Sequence, residues 1–166
     1  MVHPLDNMIW NAITTGNRDI TIIDGEFGFY QPGITPFVGF KELNNKNLDQ
    51  LHAIIPVGER VAISYFNKPS LDENKWKVVH PMDITQMLYE KPVSSFTTKN
   101  SSLIVPLGME HVPQMIELTA LTKPGPFLEK TILFGNYFQF RWQRNHSKIR
   151  TPLPCRKNAQ AFAVLQ

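Results

Sequence analysis

The sequence predicts an α+β fold, in which a small N-terminal α+β domain with a hairpin-based mixed sheet precedes a second α+β unit. Two β-rich runs flank a turn at Asp24-Gly25, and a short capped helix follows them. Residues 91–102 are rich in Ser, Thr and Pro and poor in core formers, so they are predicted to be a linker. The 166 residues are 42% apolar and include 18 aromatic residues, which is sufficient for a core.

A hairpin is the first element predicted in the N-terminal domain, which we place at residues 1–90. The run Ile20–Tyr30 contains β-forming residues on both sides of Asp24-Gly25. Asp and Gly tolerate the positive φ angles that a tight hairpin turn requires. Pro32, Gly33 and Pro36 then indicate a loop.

A short helix is predicted after this loop. Asn45 or Asn47 can cap its first turn with a side-chain oxygen, and Pro56 and Gly58 end it. Three apolar residues share one helical face: Leu48, Leu51 and Ile55.

Three further strands are predicted before the linker. Val61–Phe66 is an apolar and aromatic run, and a polar connection follows it. Trp76–His80 and Ile84–Tyr89 are interpreted as two strands joined around residues 81–83, because Pro81 interrupts the apolar pattern.

The second unit begins with a strand at Leu103–Leu107, and Pro106 within it favours an edge position. A helical pattern starts near Glu110 and is ended by residues 123–126, Lys-Pro-Gly-Pro. A second amphipathic helix is predicted from one stripe of residues, Phe127, Thr131, Phe134 and Phe138.

Several motifs in this second unit resemble a known family. They are Gly108-x-x-x-Val-Pro-x-Met115, the run Leu118–Phe127 (Leu-Thr-Ala-Leu-Thr-Lys-Pro-Gly-Pro-Phe) and Thr131-Ile-x-x-Gly-x-Tyr137. Together they look like the strand-helix-helix opening of a GNAT-superfamily N-acetyltransferase domain, in the bacterial branch similar to glycine N-acyltransferases. Residues 7–15 and 56–62 resemble the N-terminal region of the same family, so the resemblance covers roughly residues 3–138.

The resemblance implies an acetyl-CoA-dependent enzyme in which an amine attacks the thioester directly. Such enzymes hold the pyrophosphate of acetyl-CoA with a Gln/Arg-x-x-Gly-x-Gly/Ala loop at a helix N-terminus. No glycine follows Gly135 in this sequence. The chain is therefore expected to contain an incomplete GNAT domain at residues 103–138, truncated before that loop, to bind no acetyl-CoA and to be inactive as given. No catalytic residue is assigned.

The resemblance also implies a site for the acceptor, a small-molecule or peptide amine. The corner after the first helix borders the acceptor cleft in such enzymes. A rigid helix–helix corner would explain the same composition. The candidate acceptor-side residues are Thr122, Lys123, Pro124, Gly125, Pro126 and Phe127.

The C-terminal residues differ sharply in charge from the rest. Residues 137–166 contain 6 Lys/Arg and no acid, whereas residues 1–136 contain 11 Lys/Arg and 14 Asp/Glu. We interpret residues 139–166 as a basic tail that is disordered or out of frame. Back-translation of Gln139–Arg150 in a shifted frame permits an Asp-Gly hairpin, as a GNAT domain would need next. A genuine divergent C-terminus is the alternative.

A non-enzymatic α+β binding module is the alternative function, with the basic tail contacting nucleic acid or an acidic partner. Aromatic residues Phe138, Phe140 and Trp142 alternate with Arg141 and Arg144, as stacking residues and phosphate binders would. The acidic remainder of the chain argues against nucleic acid.

Other classes of protein are not indicated by the composition. The five histidines lie at no metal-ligand spacing, so no metal is expected. A single cysteine, Cys155, excludes an intrachain disulfide. No apolar run has the length of a membrane span, and Met1–Trp10 lacks the layout of a signal peptide. We therefore expect a cytoplasmic protein without a membrane partner.

Overall fold

The computed structural model describes residues 3–88, 104–122, 125–140 and 156–165, and its α+β class agrees with the prediction. Three α-helices occur in these ranges: α1 (Met8–Thr14), α2 (Asn45–Ile54) and α3 (Val112–Thr122). Short 3-10 helices lie at Pro4–Asn7, Arg18–Ile20, Met109–His111 and Thr131–Phe134. The strands are β1 (Thr21–Asp24), β2 (Phe27–Tyr30), β3 (Val38–Phe40), β4 (Val61–Tyr65), β5 (Val78–Leu88), β6 (Ile104–Leu107), β7 (Tyr137–Phe140) and β8 (Arg156–Leu165).

The predicted hairpin is present as the antiparallel pair β1–β2. Asp24 lies opposite Phe27, so the two-residue loop is Gly25-Glu26, one residue later than predicted. Gly25 supplies the left-handed backbone conformation, with a φ of 57°. Strand β3 continues this sheet on the other side of β2.

Helix α1 packs across β2 and β3 at two facing glycines. Gly28 and Gly39 are register partners on the two strands. A Cβ at Gly39 would lie 2.6 Å from the backbone nitrogen of Trp10, and one at Gly28 would lie 2.9 Å from Ile13 Cγ2. The absence of side chains at these positions therefore permits the close approach of the helix.

Helix α2 is capped one residue earlier than predicted. The Asn44 side chain accepts a hydrogen bond from the backbone N–H of Asn47 at 2.9 Å. Leu48 and Leu51 are buried, as their spacing predicts. They join the main core cluster, which comprises Phe27, Val38, Phe40, Leu48, Leu51, Val61, Ile63 and Trp76.

Strands β3 and β4 run parallel, and α2 connects them. The described pairing between them is a single parallel bridge, Phe37–Ala62, supported by a 2.9 Å hydrogen bond from Ala62 N–H to Pro36 C=O. A parallel pair requires a long crossover, which α2 supplies here.

A second sheet has the strand order β4-β8-β5. Strand β5 is one continuous strand rather than the two predicted ones, and Pro81 lies within it. Because β5 is at the edge of this sheet, the missing N–H of Pro81 is tolerated.

Strand β8 lies inside the predicted basic tail and pairs antiparallel with both β4 and β5. Residues 156–165 thus form a strand in a part of the chain that was expected to be disordered or out of frame. Backbone hydrogen bonds along two neighbouring strands provide the ordering that side-chain periodicity did not indicate. Residues 141–155, which complete most of the predicted tail, lie outside the described residues, as does the predicted linker at 91–102.

The second unit has the predicted strand and first helix, and its second helix is shorter than predicted. Strands β6 and β7 form an antiparallel pair, and Thr131–Phe134 is a 3-10 helix that leads into β7. Two contacts join this segment to the N-terminal part. The Thr131 hydroxyl donates to Ile34 C=O at 2.6 Å, and the ring centroids of Phe134 and Tyr30 are 4.7 Å apart.

None of the helices in the described ranges combines the length and the apolar composition that crossing a membrane requires.

Candidate ligand-binding site

A cavity of about 210 Å³ opens where β3 and β4 diverge beyond their single bridge; we call it the strand wedge. It lies at the carboxyl ends of two parallel strands, which is the usual position of ligand sites in α/β units. Its lining residues are Asp6, Asn7, Val38, Gly39, Phe40, Leu43, Ser64, Tyr65, Phe66 and Asn67.

The backbone of β3 faces the strand wedge at Phe40. Lys41 N–H donates to Glu26 C=O on β2 at 2.8 Å. Because hydrogen-bonding direction alternates along an antiparallel strand, the N–H and C=O of the preceding residue, Phe40, point to the opposite edge, toward β4. The strand therefore presents hydrogen-bonding groups to a ligand in the strand wedge.

Asn7 already uses one of these groups. Its side-chain amide donates to Phe40 C=O at 2.7 Å and to Lys41 C=O at 3.4 Å. A ligand that paired with the C=O of Phe40 would have to displace this amide. Asn7 therefore shortens the part of the strand wedge that an extended ligand could occupy.

The loop between β3 and α2 does not fit the pyrophosphate of acetyl-CoA. A pyrophosphate site needs several backbone N–H groups that converge at a helix N-terminus. Residues 41–47 contain no glycine, and the left-handed glycines of the described chain lie elsewhere, at positions 25, 33, 58 and 125. The first-turn N–H of Asn47 is already bonded to Asn44, and Glu42 adds a carboxylate to the loop.

A second cavity, of about 230 Å³, lies beside the β6–β7 pair; we call it the β6–β7 cavity. Its lining is mostly apolar. The residues that line it are Pro106, Leu107, Gly108, Met109, Ile132, Leu133, Gly135, Asn136, Tyr137 and Phe138.

Of the predicted acceptor-side residues, Phe127 contacts Tyr137, which lines this second cavity, and none of the described ones lines the cavity itself. Phe127 is half-buried and makes an edge contact with Tyr137, with 6.0 Å between the ring centroids. Thr122 ends α3 in an exposed position, and its hydroxyl donates to Leu118 C=O at 2.9 Å. Gly125, with a φ of 142°, and Pro126 are exposed. Lys123 and Pro124 lie outside the described residues.

Two tyrosines near the junction of the units have perturbed acidity. Burial raises the pKa of Tyr30, and the hydrogen bond that its hydroxyl accepts from Asn17 acts in the opposite direction. Burial also raises the pKa of Tyr137, whose hydroxyl donates to Thr131 C=O at 3.3 Å. Both phenols are therefore neutral near pH 7.

The strand wedge was missed by the sequence analysis, which assigned a loop around Pro32–Pro36 and no strand at Val38–Phe40. The order of a short apolar run, an Asn-capped helix and the apolar run Val61–Phe66 is the pattern of a βαβ unit, and it could have indicated parallel strands.

No cluster of three metal-binding side chains occurs among the described residues.

Comparison with solved structures identifies a fold that is shared with a known acetyltransferase class. A crystal structure from Novosphingobium aromaticivorans DSM 12444, described as an acetyltransferase from the GNAT family, superposes with a TM-score of 0.77 at 17% identity. The superposition covers 99% of this chain and 98% of that chain. No family model and no curated protein sequence matches the chain. At this identity the likeness establishes a GNAT-like α+β fold.

Proposed function

We propose that the chain is a relative of acetyl-CoA-dependent N-acetyltransferases of the GNAT class that, as given, does not transfer acetyl groups. The proposal is carried by one observation. The β3–α2–β4 unit has a cleft between parallel strands, but the loop before α2 lacks the glycines of a pyrophosphate cradle. The intact class uses acetyl-CoA as cosubstrate and an amine as acceptor, and we propose a cytoplasmic location.

We further propose that the corner at residues 122–127 borders the acceptor. The support is the contact between Phe127 and Tyr137, which connects the corner to the β6–β7 cavity. An amine bound there should shift the NMR resonances of the Gly125 and Phe127 amides. Unchanged resonances at these two positions during an amine titration would contradict the acceptor assignment.

Calorimetry with acetyl-CoA tests the absence of a coenzyme site. We expect no stoichiometric binding at micromolar concentrations, because a coenzyme of this size draws much of its affinity from the phosphate contacts that the loop does not offer. An assay for thiol release in the presence of amines should remain at the background rate. Micromolar binding of acetyl-CoA would overturn the proposal of inactivity while supporting membership of the class.

The ordered β8 bears on the interpretation of the tail. Because β8 is the central strand of the sheet β4-β8-β5, we infer that residues 156–165 are a genuine part of the fold rather than an out-of-frame sequence. It also leaves the non-enzymatic binding module as the second candidate function, because Arg156 and Lys157 then belong to a strand of the sheet. A salt-dependent mobility shift with RNA would favour that candidate, and no shift at low salt would count against it.

A further inference from the structure

We propose that a cleft along residues 68–78 binds a small organic carboxylate through a buried tryptophan N–H and two lysine ammonium groups. We call it the Trp76 cleft; it has a volume of about 560 Å³, and its lining includes Lys68, Trp76 and Lys77. It shares no lining residue with the strand wedge or with the corner at residues 122–127. The inference therefore does not depend on acetyl transfer.

The indole of Trp76 carries a hydrogen-bond donor that the protein itself does not use. Trp76 is 5% exposed and packs in the main core cluster, where its ring centroid lies 5.3 Å from that of His52 in an edge arrangement. In the part of the chain that the structure describes, its buried Nε1 atom has no hydrogen-bond acceptor. Buried indole N–H groups usually have a partner, because an unpaired buried donor is unfavourable. An oxygen of a bound ligand would satisfy this N–H.

The charges around the indole favour an anion in the Trp76 cleft. A smaller cavity of about 130 Å³ also borders Trp76 and is lined by Asp49 and Asp72. Lys75 lies between these two carboxylates, with N–O distances of 2.7 Å and 3.8 Å. The lining of the Trp76 cleft instead contains two lysines and a single acid, Glu73. A carboxylate ligand is therefore attracted to the Trp76 cleft and not to the smaller cavity.

The two lysines of the cleft are available to a ligand. Both side chains are exposed, and within the described ranges no ion pair joins Lys68 or Lys77 to a carboxylate. Ammonium groups donate charge-assisted hydrogen bonds to carboxylates, and these are stronger than bonds between neutral groups. Together with the indole N–H, they give a carboxylate ligand three donor groups in one cleft.

Apolar lining makes an organic anion a better fit than an inorganic one. Pro69, Leu71 and Val78 lie in the lining with the indole. The volume of about 560 Å³ is within the range of about 300–1,000 Å³ that is usual for organic ligands. Residues 68–71 form a loop without helix or strand, so they can adjust until a ligand oxygen reaches the buried N–H. A carboxylate with one ring or a short alkyl chain suits this site.

An NMR titration that follows the Trp76 indole N–H signal tests the proposal. The probes have one shape and three charges: benzoate, neutral benzyl alcohol and benzylammonium. We expect benzoate to bind saturably and to move this signal downfield, because the proton gains an acceptor. Benzyl alcohol should bind more weakly, and benzylammonium should not bind. Inorganic phosphate should also bind more weakly than benzoate, since it gains nothing from the apolar lining.

The double variant Lys68→Gln/Lys77→Gln removes both ammonium groups and leaves the core unchanged, because the two side chains are exposed. We expect its affinity for benzoate to fall about tenfold, the combined effect of two ion pairs near the surface. The matched control Arg18→Gln alters an exposed cation outside the cleft and should leave the affinity unchanged.

Four outcomes would overturn the inference. They are the absence of saturable benzoate binding, a Trp76 indole signal that stays in place while benzoate binds, equal binding of benzylammonium, and unchanged benzoate affinity in the double variant. The amide spectrum of the double variant shows whether it is folded. None of these measurements involves acetyl-CoA or the corner at residues 122–127, so their failure would leave the proposed function as it stands.

Discussion

Thr131 connects the two parts of the chain through a single buried hydroxyl. It donates to Ile34 C=O at 2.6 Å and accepts from Leu128 N–H at 2.7 Å. The neighbouring Lys130 N–H donates to Gly33 C=O at 2.9 Å. Two hydrogen bonds, each joining residues 97 positions apart in sequence, therefore lie side by side. Because Thr131 is buried, its hydrogen bonds are not readily replaced by water.

The substitution Thr131→Val should therefore destabilise the protein. Valine keeps the shape of threonine but leaves Ile34 C=O and Leu128 N–H without this partner, which costs about 1–3 kcal/mol. Denaturant unfolding should show a lower midpoint with an unchanged slope. Thr122→Val is the matched control, because its hydroxyl is exposed and bonds only within α3. Equal losses in both variants would contradict a special role for the Thr131 contact.

At the scale of elements, the position of α1 depends on the glycine pair on β2 and β3. Gly39 faces the backbone of α1 so closely that an added Cβ would lie 2.6 Å from the Trp10 nitrogen and 2.8 Å from the Trp10 Cα. Backbone atoms of a helix cannot move aside as a flexible side chain can. The helix also carries Asn7 at its start, so its position determines the contact of Asn7 with Phe40 C=O.

The substitution Gly39→Ala should force α1 away from the sheet. We expect a loss of about 1–3 kcal/mol in the free energy of unfolding, the usual cost of overpacking. Gly16→Ala is the control, since no atom lies within 4 Å of a Cβ there, and a change of that kind is neutral or stabilising by about 0.4–1 kcal/mol. Stability of Gly39→Ala equal to that of the parent would show that α1 does not pack as described.

For the whole molecule, β8 is the element on which the second sheet depends. It pairs with β4 from Val61 to Tyr65 and with β5 from Val78 to Leu88. Without β8, both β4 and β5 would lose the strand that lies between them in the sheet order β4-β8-β5. An unpaired strand inside a sheet leaves backbone hydrogen-bonding groups unsatisfied, which is unfavourable.

Hydrogen exchange measures this role directly. Amides of residues 156–165 should exchange as slowly as those of the β1–β2 hairpin, because β8 bonds to neighbours on both sides. A chain ending at residue 155 should lose protection in β4 and β5 as well. If the amides of 156–165 exchange like an unfolded peptide, β8 is not part of the native sheet and the out-of-frame interpretation of the tail regains its support.

Local chemistry was sufficient to predict several elements. The turn residues around Asp24-Gly25 predicted the hairpin, the spacing of Leu48 and Leu51 predicted the buried face of α2, and the Lys-Pro-Gly-Pro run at 123–126 predicted an end to α3. Each depends on interactions between residues close in sequence, such as turn geometry or the helical repeat. Within the described ranges β6 pairs with β7 alone, in agreement with the edge position that Pro106 favours.

The candidate site was decided by contacts that no local pattern encodes. The strand wedge exists because Val38–Phe40 and Val61–Tyr65 run parallel and separate after the Phe37–Ala62 bridge, and because Asn7 reaches Phe40 across 33 positions of sequence. Strand β8 likewise acquires order from two partners far away in the chain. The sequence by itself determined the α+β class, the hairpin and helices α2 and α3, because their signals are local. Only the tertiary structure decided which strands became neighbours, since that choice depends on burial and backbone pairing summed over the whole molecule.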